Sequence, residues 1–249
     1  MVFSYSSVTK ILTEIPPAAD ISSISISSGA VANIFDSSGK LVIKPCEIAE
    51  KAHPQEIWFK LDISSNHFVE GLKQMDKLSH MGFSNFGILI AGAKDAADLY
   101  RVRLIAEECG FSFGLEIPFG VMVEYPAMAL SYSAISKAGA SFAVIDVDGI
   151  SKKIMCSEKT YETIPEPVLR VLNDSIKHFK DMKIHVAASG KMLDSAYVLK
   201  ELVGRGVDSL ISSSDNLEKL RIKACYAEKM QEIDFMKSKI RMHMKSRVI

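Results

Sequence analysis

The fold is decided by the stretch GVMVEYPAMAL, Gly120–Leu130, in which an apolar, β-branched run ends in Glu124 and passes through a proline into an alanine-rich segment. This order predicts a buried strand that ends in a carboxylate and is followed by a helix. A later apolar run, SFAVIDVDGI, repeats the arrangement with Asp146 and Asp148 at its end. The two stretches therefore predict consecutive strand–helix units with acidic side chains at the strand ends.

Similar units recur along most of the chain. Their short runs are mostly apolar rather than alternating, which is typical of parallel strands that are covered on both faces. The runs are separated by longer amphipathic stretches, at a spacing of roughly 25–40 residues, and this indicates βα units. The predicted strands are Ser23–Ser27, Glu56–Leu61, Phe86–Ala91, Phe119–Glu124, Phe142–Asp146, Ile184–Ala188 and Asp208–Ser212.

The strand count favours a closed barrel. Seven strands are clear, and the eighth is placed either at Leu41–Lys44 or at Ser112–Leu115. A chain of 249 residues is of ordinary length for one α/β barrel, so we predict a (β/α)8 TIM-type barrel in a single domain, residues 1–249. A doubly wound open sheet gives much the same pattern and is the alternative. From about residue 217 onward, one long, highly charged helical pattern predicts a solvated terminal helix.

Composition excludes several classes of function. Acidic and basic residues balance at 30 each, so no bulk charge attracts nucleic acid or an anionic membrane. The four cysteines are scattered without a metal-binding spacing, which favours reduced thiols in a cytoplasmic protein. The first residues do not resemble a signal peptide, and no apolar run approaches the roughly 20 residues of a membrane span.

The acidic strand ends are the main candidates for chemistry. Carboxyl ends of parallel strands converge at the barrel mouth, where barrel enzymes build their active sites. We expect Asp146 and Asp148 to project in one direction, since alternate residues of a strand share a face. With Glu124 on the preceding strand, they offer the hard oxygen ligands that Mg²⁺ or Mn²⁺ prefers. Spacing alone does not distinguish this interpretation from the alternative, in which these acids only cap the following helices.

Several segments in sequence order resemble the phosphoenolpyruvate- and pyruvate-binding barrel of phosphoenolpyruvate synthase and phosphotransferase-system Enzyme I. The resemblance covers roughly residues 56–217. It is carried by the stretches IWFKLDISSNHF, FGILIAGAKDAADLYRVRLIAEECGF, GVMVEYPAMAL, FAVIDVDGI and HVAASGKMLDSAYVLKELVGRGVDSLISSSDNL. Pyruvate-using aldolases and citrate lyase β-type barrels share the acidic strand ends and are the nearest competitors.

The resemblance implies roles for individual residues. Glu124 matches the first ligand of a divalent metal, Mg²⁺ or Mn²⁺, and Asp148 matches the second. Three positions depart from the family. Val147 stands where the family has asparagine, Lys60 where it has a phosphate-binding arginine, and Ser189 where it has a proton-donating cysteine. A hydroxyl is a far weaker acid than a thiol, so these departures put catalysis in doubt.

Two further side chains receive an interpretation. Lys191 follows the strand end at Ser189 and is a candidate for binding an anion, with a solvated surface lysine as the alternative. Trp58 is assigned to the outer face of its strand, opposite Lys60, where it would pack against the helices. We expect Glu124, Asp148 and Ser189 to face the same mouth.

The functional hypothesis is a phosphoenolpyruvate-synthase-like barrel that binds a divalent metal and a pyruvate- or phosphoenolpyruvate-like small acid. These 249 residues show no counterpart of the family's ATP-binding and phosphohistidine segments, so we do not expect them to run the full synthase reaction alone. Whether the chain turns over any substrate is left open. The alternatives are an inactive regulatory or assembly partner of a full-length synthase, and an aldolase or lyase of the same superfamily. A homo-oligomer and association with other synthase domains are both open.

Overall fold

The protein is an eight-stranded closed barrel in which every neighbouring pair of strands is parallel. The computed structural model describes residues 9–16, 26, 28–36, 40–41, 43–110, 117–213 and 217–246, and of residues 213 and 241–246 it describes the backbone alone. The strands are β1 Lys10–Ile15, β2 Ala30–Asn33, β3 Ile57–Asp62, β4 Phe86–Ala91, β5 Phe119–Val123, β6 Phe142–Asp146, β7 His185–Ser189 and β8 Ser209–Ser213. The predicted TIM-type barrel is confirmed, and the open sheet is wrong because β1 pairs with β8.

Helices follow the strands and form the outer layer. They are α1 Pro45–Ala52, α2 Phe68–His80, α3 Ala96–Glu108, α4 Pro126–Leu130, α5 Tyr132–Lys137, α6 Val147–Met155, α7 Glu166–Asp181, α8 Ala196–Gly204 and α9 Leu217–Ser246. A short 3₁₀ helix, Lys191–Asp194, lies between β7 and α8. The main hydrophobic core joins the outer face of the barrel to the inner faces of these helices. None of the helices in the described ranges is both long and apolar enough to cross a membrane.

The first two strands differ from the prediction. β1 and β2 close the barrel, whereas neither Lys10–Ile15 nor Ala30–Asn33 was expected to be a strand. Leu41 makes only an isolated antiparallel bridge to Phe35, so the first proposed eighth strand is not part of the barrel. The other proposed eighth strand, Ser112–Leu115, and most of the proposed strand Ser23–Ser27 lie outside the described residues.

The barrel interior has its own small hydrophobic cluster, made of strand residues alone. Its members are Leu12, Val31, Trp58, Leu89, Phe142, Val144, Ala187 and Ile211, with Met122 packed against them. Trp58 therefore points inward, and its assignment to the helical shell is wrong. The reason is the two-residue repeat of a strand, which puts Trp58 and Lys60 on the same face.

Trp58 and Phe142 fill the amino-terminal half of the interior. Their rings stack with centroids 4.1 Å apart and planes inclined by 13°. Two glycines give the rings room: a Cβ at Gly120 would lie 2.2 Å from Phe142 Cδ2, and one at Gly87 would lie 3.3 Å from Phe142 Cε1. The floor beneath the mouth is therefore a packed aromatic pair.

We expect Gly120→Ala to lower the free energy of unfolding by about 1–3 kcal/mol, the usual cost of forcing an extra carbon into a packed core. Combining Gly120→Ala with Phe142→Ala should remove part of that cost, because the contact with the Phe142 ring is relieved while the contact with its backbone carbonyl oxygen, at 2.5 Å, remains. Urea denaturation of both single variants and the double variant measures the coupling. Strictly additive losses would contradict this packing.

Candidate functional site

Polar side chains line the inner face at the carboxyl ends of the strands; they include Glu14, which follows the interior Leu12 by two residues, and five at the ends of β2, β3, β5, β6 and β7. Asn33, Lys60 and Leu89 are neighbours in register across β2, β3 and β4, and Leu89 belongs to the interior cluster. The other three positions each follow an interior residue by two. They are Glu124 after Met122, Asp146 after Val144 and Ser189 after Ala187. We call Asn33, Lys60, Glu124, Asp146 and Ser189 the mouth ring.

Glu124 is held from two sides. Its Oε2 accepts a hydrogen bond from the backbone N–H of Gly92 at 3.1 Å, and its Oε1 lies 4.0 Å from Lys60 Nζ. Gly92 has a φ of +78°, and a Cβ there would lie 2.4 Å from Asp62 Oδ1, so a glycine suits this turn. Because both members of the ion pair are less than one-third exposed, the pair is partly desolvated.

Asp146 lies next to Glu124 in the ring and caps the following helix. Its Oδ1 accepts a hydrogen bond from the Gly149 N–H at 3.0 Å. Gly149 also approaches the Glu124 carbonyl, since a Cβ there would lie 3.5 Å from that oxygen. Burial raises the pKa of Asp146 above its ordinary value of 3.8, and the nearby Asp148 charge adds to this, against a smaller opposing effect of the Gly149 hydrogen bond and Lys60.

Asp148 is placed differently from Asp146. The strand ends at Asp146, and Val147 begins α6, so the expected alternation of the two acids on one strand is wrong. Both carboxylate oxygens of Asp148 accept backbone hydrogen bonds from the 3₁₀ helix, from Lys191 N–H at 2.7 Å and from Met192 N–H at 2.9 Å. In this position Asp148 fixes the β7–α8 connection.

Ser189 and Lys191 are close in sequence but lie in different surroundings. Ser189 lies beside Asp146 in register, and its Oγ is buried without a hydrogen-bond partner among the described residues. A buried hydroxyl in this state costs free energy that a ligand would offset by accepting its proton. Lys191 is exposed and lies with Asp148 along a second cavity.

Two cavities open at the mouth. One, of about 420 Å³, is lined by Asn33, Lys60 and His67, and by the Phe35 ring that stacks with His67 at 5.8 Å. The other, of about 410 Å³, is lined by Glu14, Asp148, Lys191, Ser212 and neighbouring residues. Lys191 and Asp148 thus share the second cavity. Lys60 lines the first, and it is the ion pair with Glu124 and the register of Asp146 with Ser189, not these two cavities, that bring the other site residues together.

The mouth ring offers few ligands for a divalent metal. Among the described residues, no group of three or more His, Cys, Asp or Glu side chains could hold a metal ion. Glu124 and Asp146 nevertheless offer two carboxylates on adjacent strand ends, and Mg²⁺ is commonly bound by one or two carboxylates with water and substrate completing the site. The ring therefore fits Mg²⁺ or Mn²⁺ and does not fit metals that need three protein ligands. Asn33 was not among the predicted site residues. Asp146 was a candidate ligand from the strand pattern, whereas the resemblance placed the second ligand at Asp148.

The sequence is similar to curated phosphoenolpyruvate synthases, as its motifs indicated. It is 27% identical to a probable phosphoenolpyruvate synthase of Methanocaldococcus jannaschii over 157 residues, which is 60% of this chain and 13% of that protein. It is 26% identical to one of Archaeoglobus fulgidus over 170 residues, 66% of this chain and 22% of that protein. The phosphoenolpyruvate synthase of Pyrococcus furiosus is 22% identical over 156 residues. No family model matches the chain.

Solved structures confirm the fold. RipC from Yersinia pestis superposes with a TM-score of 0.57 at 10% identity, covering 86% of this chain and 94% of that one. An HpcH/HpaI aldolase/citrate lyase family protein from Burkholderia cenocepacia gives 0.55 at 11% identity, covering 90% and 95%. At these identities the likeness concerns the barrel alone.

The two neighbouring aspartates should respond oppositely to amidation. Asp146→Asn keeps the helix cap and removes a buried charge, so the variant should be more stable than wild type at pH 7. Because a raised folded-state pKa means that stability is lost as pH rises above 3.8, this difference should shrink towards pH 4. Asp148→Asn leaves one oxygen for two N–H donors and should cost about 1–2 kcal/mol. Urea denaturation at pH 7 and pH 4 measures the free energy of unfolding of each variant. Equal changes of the same sign in both variants would refute this expectation.

Proposed function

We propose that the mouth ring binds Mg²⁺ or Mn²⁺ together with a small bidentate acid of the pyruvate or phosphoenolpyruvate type. The observation that carries the proposal is the placement of Glu124 and Asp146 on adjacent strand ends, facing inward beside Lys60. Two carboxylates against one ammonium leave the ring negative when all three are charged. A keto acid alone would be repelled, whereas a divalent cation reverses the sign and attracts it.

The remaining ring members suit the ligand rather than the metal. Lys60 would remain as a point charge for a carboxylate or phosphoryl oxygen, although it lacks the fork geometry of an arginine. The Ser189 hydroxyl is buried without a partner among the described residues, and an acceptor oxygen that reached it would satisfy it. The bound metal would polarise the acid's oxygens. No stronger acid than Ser189 stands at the position of the family's cysteine, so binding is better supported than turnover.

The identity of the second metal ligand is the point on which sequence similarity and geometry differ. Similarity favours Asp148, whose oxygens already accept two backbone hydrogen bonds. Geometry favours Asp146, whose raised pKa reflects a buried carboxylate that a cation would stabilise in its charged form. We therefore assign the metal to Glu124 and Asp146, with Asp148 as a positioning residue.

A second candidate function is a role beside a full-length synthase. The chain spans 13% and 22% of the length of the first two curated relatives, so their activity does not transfer as a whole. The replacements at Lys60 and Ser189 favour, as a second candidate, an inactive barrel that assembles with a synthase or regulates it. Scattered free cysteines agree with a cytoplasmic location for either role.

Titration calorimetry tests the metal site. Mn²⁺ alone should bind weakly to the wild type, and adding oxalate should tighten binding by at least about tenfold, because the acid completes the coordination shell. Glu124→Gln and Asp146→Asn should each abolish the oxalate effect. Asp148→Asn is the matched control and should retain it. Retention in Asp146→Asn with loss in Asp148→Asn would transfer the site to Asp148, and negligible heats throughout would refute metal binding.

The 249 residues should not form phosphoenolpyruvate from pyruvate and ATP. The reason is the absence of a thiol acid at Ser189 and of the fork-shaped arginine at Lys60. Coupled assay of the purified chain measures this. ATP-dependent phosphoenolpyruvate above the level of a Glu124→Gln control would show the expectation to be wrong.

A further inference from the structure

The long helix α9 contacts its own barrel along a broad side, which also includes the buried Cys225 and the Glu228 carboxylate that accepts hydrogen bonds from Thr9. The helix has 30 residues, a length of about 45 Å at 1.5 Å per residue. Leu220, Ala224 and Ala227 are buried, where α9 packs against α8, β1 and β8. Further along, Gln231 donates a hydrogen bond to the Lys200 carbonyl at 3.0 Å. These residues define the inner side of the helix.

The opposite side carries exposed apolar residues. They are Ile222, Tyr226, Ile233, Met236 and Ile240, each 43–62% exposed, and we call them the outer stripe. Successive helix residues are rotated by about 100° around the helix axis. The members of the outer stripe therefore fall within an arc of roughly 80°, centred about 180° from the inner side. The outward face of a helix that covers a barrel is normally polar, and a row of apolar residues there marks an interaction surface.

The spacing of the outer stripe identifies the shape of its partner. With Lys229 included, successive members are four, three, four, three and four residues apart. This alternation is the a/d pattern of a two-helix coiled coil, whose partner is a helix with the same repeat. We propose that the outer stripe is a homodimer interface, in which α9 pairs with α9 of a second copy in parallel orientation.

Charges beside the stripe select the parallel orientation. Glu232 and Lys237 flank it on opposite edges, five residues apart, which is the separation that joins g and e positions across a parallel pair. Each dimer then contains two Glu232–Lys237 contacts between the copies. In an antiparallel pair with full overlap of the stripe, Glu232 would face Glu232 of the second copy, and Lys237 would face its Lys223. Those like charges disfavour the antiparallel pair.

Sedimentation equilibrium across a dilution series tests the interface. Wild type should be a dimer that dissociates on dilution, and Ile233→Glu combined with Met236→Glu should weaken it at least about 100-fold, because four buried apolar side chains become charged. Phe235→Glu is the matched control: Phe235 is 60% exposed on the same helix but lies off the stripe, so the dimer should persist. Lys229→Leu should tighten the dimer by about tenfold or more, since it fills the polar gap in the seam.

Charge reversal tests the orientation. Glu232→Lys and Lys237→Glu should each weaken the dimer, and the double reversal should restore it to near the wild-type affinity. Circular dichroism confirms that each variant is folded. A monomeric wild type, or a dimer unaffected by the stripe variant, would overturn the interface. Failure of the double reversal to restore affinity would overturn the parallel pairing. None of these readouts depends on metal or acid binding at the mouth.

Discussion

The two-residue repeat of the inward-facing strand positions determines both the packing and the chemistry of this barrel. Along β3 the repeat places Trp58 in the interior and then Lys60 at the mouth, and along β6 it leads from Phe142 through Val144 to Asp146. On β3 and β6 the inward side is therefore apolar at the amino end and polar at the carboxyl end. The stacked rings lie beneath the polar side chains, and the Lys60–Glu124 pair above them is partly desolvated.

Charge balance among these side chains supports the proposal that the mouth ring binds a cation. Lys60 lies 4.0 Å from Glu124 and also stabilises charge on Asp146, so a single ammonium serves two carboxylates. The raised pKa of Asp146 shows that this compensation is incomplete, because burial outweighs the attraction of Lys60 and the Gly149 hydrogen bond. Protonation of Asp146 or a bound divalent ion would neutralise the remaining negative charge. Metal binding and proton uptake are thus competing ways to neutralise the same carboxylate.

Sequence patterns predicted the middle of the barrel better than its start. The strands from β3 to β8 are apolar runs followed by clear helices, and their predicted bounds lie within about two residues of the observed ones. β1, KILTEI, carries Lys10, Thr13 and Glu14, and β2 has only four residues, so neither gives a continuous apolar signal. The bounds of β6 were predicted as they are observed, Phe142–Asp146, and the choice of Asp148 over Asp146 came from the family resemblance rather than from the strand pattern. The two-residue repeat of a strand puts Trp58 on the same face as Lys60, and the prediction was wrong because it placed these two residues on opposite faces.

The nature of the replaced residues indicates what the mouth ring has kept. An arginine and a lysine both supply positive charge, but the arginine alone aligns a phosphoryl group through two parallel hydrogen bonds. A cysteine and a serine both donate a hydrogen bond, but near neutral pH the thiol alone is a competent proton donor to carbon. Lys60 and Ser189 therefore retain the charge and hydrogen bonding that hold an anion and lose the alignment and acidity that transform it. Glu124 matches the family's glutamate, whereas Asp146, to which we assign the second ligand, does not match the family's aspartate, and Val147 replaces its asparagine. This division supports a barrel that binds its ligand through the metal and contributes little to the reaction.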